Sequence, residues 1–128
     1  MPRFVRPFTS FFSISAMALV FTAAAIAQTI SEQQMRAANL ARMQAELING
    51  GLGQYSPADC MHQGGGGSGA GNWFCLVSTT PQGFRFRFLG GVPGWAARQE
   101  RPTIESVVLV SPDGKNLQVE YNGSVRIQ

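Results

Sequence analysis

The chain of 128 residues is 45% hydrophobic and only 13% charged, enough for one compact domain and too little for two. Its formal charge is +3, but Arg3 and Arg6 sit at the extreme N-terminus, and from residue 28 onward eight basic residues face seven acidic ones. With a net charge of +1 left there, the electrostatic footprint expected of a nucleic-acid-binding domain is missing.

Arg3 and Arg6 precede an uncharged, largely apolar stretch from Pro7 through Ile26, with small residues at Ala25 and Ala27. This order predicts a secretory signal peptide over residues 1–27 and a mature chain from Gln28. The stretch also nears the roughly 20 residues that span a bilayer, so an uncleaved anchor is the competing reading; Ser10, Ser13, Ser15 and Thr22 dilute it. The arginines are not adjacent and no cysteine follows Ala27, which sets aside twin-arginine export and lipidation. Residues 28–128 are then a single exported domain with no stable membrane insertion after signal cleavage.

Ser31 followed three residues later by Gln34 has the form of a capping box, with Glu32 in the first turn, and predicts a helix start. Ala37, Leu40, Ala41, Met43, Leu47 and Ile48 recur at spacings of three and four, with Glu32, Gln33, Arg36, Asn39, Arg42 and Glu46 largely opposite. That pattern predicts one amphipathic helix burying the apolar stripe. Asn49-Gly50-Gly51 supplies the expected stop.

Cys60 and Cys75 are the only cysteines. In an exported chain they are expected to pair, clamping the glycine-rich loop 64–71 between them, whose composition is that of a flexible linker. The sharper alternative is a Cys/His-dependent enzyme, since Cys60 stands two residues from His62, the sole histidine, and a thiolate nucleophile needs a neighbouring base. No third orienting group is identifiable, and Cys60, His62 and Cys75 are too few for a zinc site unless Asp59 joins them. Gly64, Gly66 and Gly69 match G-x-G-x-x-G, but no strand precedes them, no helix follows and no phosphate-loop lysine is present. No catalytic constellation, cofactor or metal is expected.

From residue 73 the pattern becomes that of strands. Residues 73–78 read as a first strand, Thr80-Pro81-Gln82-Gly83 as a turn, and residues 84–88 as a second strand with Phe84, Phe86 and Phe88 on the core face and Arg85 and Arg87 outward. Interleaved aromatic and basic residues also occur in RNA-binding sheets, but Gln82 and Arg85 break that motif. Residues 90–102 read as a loop carrying Pro93 and Trp95, with Trp95 either a binding contact or a plug at the end of the core. A third strand follows over residues 103–110, a turn at Ser111-Pro112-Asp113-Gly114, a fourth strand over residues 117–121, and a last turn at Asn122-Gly123-Ser124. Arg85 and Arg87 share outward alternation with Glu105 and Glu120, which predicts cross-strand charge pairs on a solvated face. The architecture expected is α+β, one N-terminal amphipathic helix packed on a four-stranded antiparallel meander.

Three stretches together, Asn39-Leu40-Ala41-Arg42 running to Asn49-Gly50-Gly51-Leu52 and Tyr55, then Phe86 through Trp95, then Val110-Ser111-Pro112-Asp113-Gly114 leading to Tyr121-Asn122-Gly123, resemble a group of small exported cyanobacterial proteins of unknown function. The resemblance covers most of the chain after residue 28 and none of the glycine tract; it implies a periplasmic or thylakoid-lumen setting and carries over no catalytic residue. A helix on a four-stranded sheet also resembles the cystatin-type protease inhibitors, but this chain lacks their Gln-x-Val-x-Gly segment and Gly94 separates Pro93 from Trp95. The function expected is an exported, non-enzymatic binding or assembly module, periplasmic, lumenal or extracellular. Its partner would be a protein, a peptide or an envelope polymer, met through Trp95, Pro93, Arg85 and Arg87.

Overall fold

Helix α1 (Glu32–Ile48) begins where the capping signal stands. Ser31 Oγ accepts from the Gln34 backbone N–H at 3.1 Å, satisfying one of the orphan donors of the first turn. The reciprocal half of the box is not made: the Gln34 side chain donates to the Gly64 carbonyl at 2.8 Å, tying the helix start to the loop after Cys60. At the other end Gly50 and Gly51 take φ values of 100° and 87°, a backbone that glycine adopts without a Cβ penalty. The computed structural model describes Arg3, residues 30–66 and residues 75–126; the expected signal segment, most of the glycine tract, and Trp73 and Phe74 of the expected first strand lie outside the described residues.

The buried face of α1 is Ala37, Ala38, Ala41 and Ala45. Met43, Leu47 and Ile48, expected in the core, are instead 57%, 72% and 42% exposed, while Glu46, expected outside, is buried. Ala37 and Ala41 of the expected stripe are buried and Leu40 packs against the core, so the expectation holds over the first turns; beyond Ala41 the buried face turns to Ala45 and Glu46, leaving Met43, Leu47 and Ile48 outside it.

The sheet is antiparallel and has five strands rather than four: β1 (Ser56–Pro57), β2 (Leu76–Thr80), β3 (Gly83–Gly91), β4 (Ile104–Val110) and β5 (Leu117–Ser124). The order is β1-β3-β4-β5, with β2 paired to the same strand β3 as β1. β2 covers β3 from Gly83 to Phe86 and β1 covers Gly90 and Gly91. Between them the Arg87 N–H donates to the Cys75 carbonyl and the Ala58 N–H to the Leu89 carbonyl, each at 2.8 Å. The two short strands therefore act as one interrupted strand along a single edge of β3. They are joined by the 3-10 helix Asp59–Gln63 and by the Cys60–Cys75 disulfide, whose Cα atoms lie 5.9 Å apart, within the ordinary range for a bridge.

The phenylalanine alternation holds: Phe84, Phe86 and Phe88 are buried with Val108, Val110, Tyr55, Met61 and the helix alanines. Two expected breaks turn out to be strand. Gly90 and Gly91 continue β3, and Asn122-Gly123-Ser124 continue β5. Asn122 stands opposite Ser106 and exchanges two amide hydrogen bonds with Asn49 at 3.0 Å, while Ser106 Oγ donates to its Oδ1 at 2.7 Å. A tertiary partner at the end of α1 thus holds extended a segment whose local chemistry favours a turn.

The outer face carries the expected cross-strand pairs. Arg85 donates twice to Glu120 at 2.6 and 3.1 Å, and Arg87 to Glu105 at 3.4 Å. Glu105 is not solvated as expected; it is 1% exposed, because Arg126 folds over it, donating from its backbone and guanidinium at 2.7 to 3.1 Å with that guanidinium stacked on Tyr121. Burial pushes the Glu105 carboxyl up, but the bonds from Arg126 and the charges of Arg87 and Arg126 outweigh it and hold the group below the usual carboxylate range.

Two measurements check this frame. Replacing both cysteines by serine removes a closed loop of 15 residues and is expected to cost roughly 3 kcal/mol in denaturant melts; an unchanged midpoint contradicts the clamp. The lowered Glu105 pKa means that its contribution is complete above the ordinary carboxylate range and fades as pH falls through the native value. Glu105→Gln should therefore cost about 1–3 kcal/mol at pH 7 and show a shallower acid-side loss than the parent, read from urea melts between pH 2 and 7. Parallel curves for the two proteins would remove Glu105 from the account.

Candidate functional site

After β3 the chain winds back on itself through residues 92–103. The Trp95 N–H donates to the Val92 carbonyl at 3.0 Å, Arg98 to Gly94 at 3.1 Å, Gln99 to Ala96 at 3.1 Å, Glu100 to Trp95 at 2.8 Å and Thr103 to Gly90 at 3.0 Å. Gly94 and Gln99 take positive φ values of 85° and 55°, which let so short a segment reverse twice. The loop is thus internally bonded and fixed to the end of β3, the arrangement that makes a loop useful for recognition.

Trp95 is half-buried. Its ring stands on Gly91, where a Cβ would come within 3.3 Å of it, and its Nε1–H donates to the Ser56 carbonyl at 2.9 Å. The indole is therefore both plug and wall. By capping Ser56, beside Pro57 which has no N–H to offer, it closes the β1 edge to an added strand. What stays open is a groove of about 310 Å³ between Ser56, Pro57 and Asp59 on one side and Gly94, Trp95, Ala96 and Ala97 on the other. A volume at the low end for ligand pockets suits one side chain rather than an extended ligand.

The groove's charge is set by what is already engaged. The Arg98 guanidinium lies over Gly94 and is held by Glu100 at 2.6 and 3.3 Å. The ion pairs among the described residues are Arg42–Glu46, Arg85–Glu120, Arg98–Glu100 and the two on Glu105; Asp59 belongs to none of them.

Of the expected binding residues, only Trp95 lines the groove. Pro93 is exposed at the top of the loop and does not line it. Arg85 and Arg87 share the sheet face on which Trp95 stands, since residues 85, 87, 89 and 91 alternate outward on β3, but Arg85 is bonded twice to Glu120 and Arg87 once to Glu105, and neither lines the groove. Ser56, Pro57 and Asp59 were missed by the sequence pattern. They lie near Trp95 only through the sheet, Ser56 and Trp95 being 39 positions apart in sequence, and a two-residue strand has no periodicity to detect.

The Cys60–His62 nucleophile is overturned. Both sulfurs are in the disulfide, so no thiolate is available to the exposed His62 at the end of the 3-10 helix. Among the described residues no group of three or more His, Cys, Asp and Glu side chains is placed to hold a metal ion, and no helix is long and apolar enough to cross a membrane.

A second polar cluster lies beneath the helix. Tyr55 packs its ring against Gly90. Burial pushes its phenol up to about 12, with the Ser106 hydroxyl opposing and the Glu46 charge adding. Its hydroxyl meets no partner at hydrogen-bonding geometry among the described residues. At 2% exposure it is closed to solutes and serves the core.

Comparison with protein-family models, with curated proteins and with solved structures finds no match to this chain, so the functional reading rests on the geometry of the Trp95 groove.

Proposed function

We propose that the protein is an exported, non-enzymatic binding or assembly module that takes one side chain or end group of a protein, peptide or envelope polymer in the Trp95 groove. One observation carries this reading: an indole pinned by its own hydrogen bond to Ser56 forms the wall of an open groove, so the aromatic surface is held ready before any ligand arrives. A fixed aromatic avoids the ordering cost that weakens binding by mobile side chains, and tryptophan is the residue most enriched where truncation costs binding energy. The disulfide supports an oxidising compartment, in keeping with export to a periplasm, thylakoid lumen or extracellular space. The resemblance to small exported cyanobacterial proteins belongs to the same proposal.

Protease inhibition is the less favoured reading, because the loop bearing Pro93 and Trp95 is bonded back onto β1 rather than projecting as a wedge.

The test is to select peptides from a random library on the purified protein and titrate them while following the Trp95 indole N–H resonance. Selected ligands should shift that resonance, and Trp95→Ala should weaken them at least tenfold while still melting cooperatively. Because the substitution also removes the bond to Ser56, a stability loss of about 1–2 kcal/mol is expected with it. Ligands that bind equally well to Trp95→Ala, or that leave the resonance unmoved, place recognition elsewhere.

A further inference from the structure

We infer that the occupant of the Trp95 groove is a cationic side chain, the lysine ammonium or arginine guanidinium of a partner chain. The inference rests on the groove being the binding site and adds the chemistry of what it binds. Three features of the walls lead there.

The first is the imbalance of donors and acceptors. Besides Trp95, the lining residues with polar side chains are Asp59 and Ser56, and the carboxylate of Asp59 only accepts. The indole N–H, which would otherwise donate to a ligand, is committed to the Ser56 carbonyl. With the carboxylate an acceptor and the indole donor already engaged, the side chains favour a ligand that brings donors. A sugar ring, whose hydroxyls need both, leaves part of its polar surface unmatched there.

The second is charge. Asp59 has no ion-pair partner among the described residues; Arg98, whose guanidinium lies over Gly94, is held by Glu100, and Arg101 of the same loop is not among the groove's lining residues. Asp59 is thus the one ionisable residue in the groove's lining, complementary to an incoming cation and repellent to an acidic one. The third is the character of the remaining walls. Pro57, Ala96 and Ala97 are apolar and small, suited to the methylene stem of lysine or arginine, and the indole is the aromatic that attracts a cation most strongly over its face. Stem, charge and ring are all provided for within about 310 Å³.

The experiment compares four probes by the Trp95 indole N–H resonance on the intact protein: a neutral-flanked pentapeptide with one central lysine, the same peptide with acetyl-lysine, the same peptide with glutamate, and a neutral oligosaccharide. The lysine peptide should bind; acetylation should weaken it tenfold or more, glutamate should abolish it, and raising salt from 50 to 500 mM should weaken it severalfold. Asp59→Asn, nearly isosteric at an exposed position, should reproduce the effect of acetylation while leaving the melting temperature in place. If that variant does not fold, the acetyl-lysine arm still decides. Binding of the acetylated peptide or the oligosaccharide as tightly as the lysine peptide overturns the cationic ligand and leaves the groove reading standing. Silence of the resonance towards all four probes, together with library ligands that bind without moving it, overturns both.

Discussion

The edge of β3 is the constraint on which the molecule depends. One side of this strand is paired with β4 from Phe84 to Gly90, and the other is served by two fragments, β2 and β1, that lie on opposite sides of the glycine tract in sequence. Neither fragment is long enough to hold a register alone, because a pair of ladder bonds offsets little of the ordering entropy of its strand. The disulfide between Cys60 and Cys75 makes them a single piece, and Met61, wholly buried between the cysteines, fastens that piece to the core. A chain with so much glycine in one loop reaches a defined sheet edge because the entropy of that loop is reduced by the cross-link before folding begins.

From this edge follows the placement of both large aromatic residues that flank it. Gly90 and Gly91 are consecutive on β3 and therefore face opposite sides of the sheet. Tyr55 lies against the first on the inner side and Trp95 against the second on the outer side. The missing side chains let two rings approach one strand end from both faces, one sealing the core under α1 and the other building a groove wall. Core and candidate site thus meet at one glycine pair, Gly90 making room for Tyr55 and Gly91 for Trp95.

The outer sheet face illustrates how charge is distributed between structure and recognition. Arg85 and Arg87, the most conspicuous cations of the sequence, are consumed within the sheet by Glu120 and Glu105. Pairs this exposed contribute little individually, but Glu105 is different: buried under Arg126, it anchors the segment after β5 to β4 through three hydrogen bonds. The one carboxylate left without such a partner around the groove is Asp59, so the charge open to a proposed ligand is that remainder and not the visible arginines.

The α+β class, the helix and its cap, the phenylalanine alternation of β3 and the cysteine pair were all legible in the sequence, because each is a local or periodic signal that survives without knowledge of neighbours. Three things were not. The buried face of α1 is legible at Ala37, Leu40 and Ala41 but not in the last turns, where spacing alone does not separate Met43 and Leu47 from Ala45 and only the packing of the helix on the sheet covers Ala45. Gly90, Gly91 and Asn122 were read as breakers because their local preferences are for turns, and what overrides those preferences comes from afar: Tyr55, Trp95 and Asn49. The groove itself was half visible. Trp95 stood out as an aromatic on a loop, but Pro57 and Asp59 reach it only through the antiparallel pairing of β1 with β3, a long-range contact that no spacing in the sequence encodes. By itself the sequence determined the helix, the four longer strands in outline and the pairing of the two cysteines; the tertiary structure decided where strands end, the fifth strand, which faces are covered and which residues meet, because those outcomes depend on space and partners supplied by other parts of the chain.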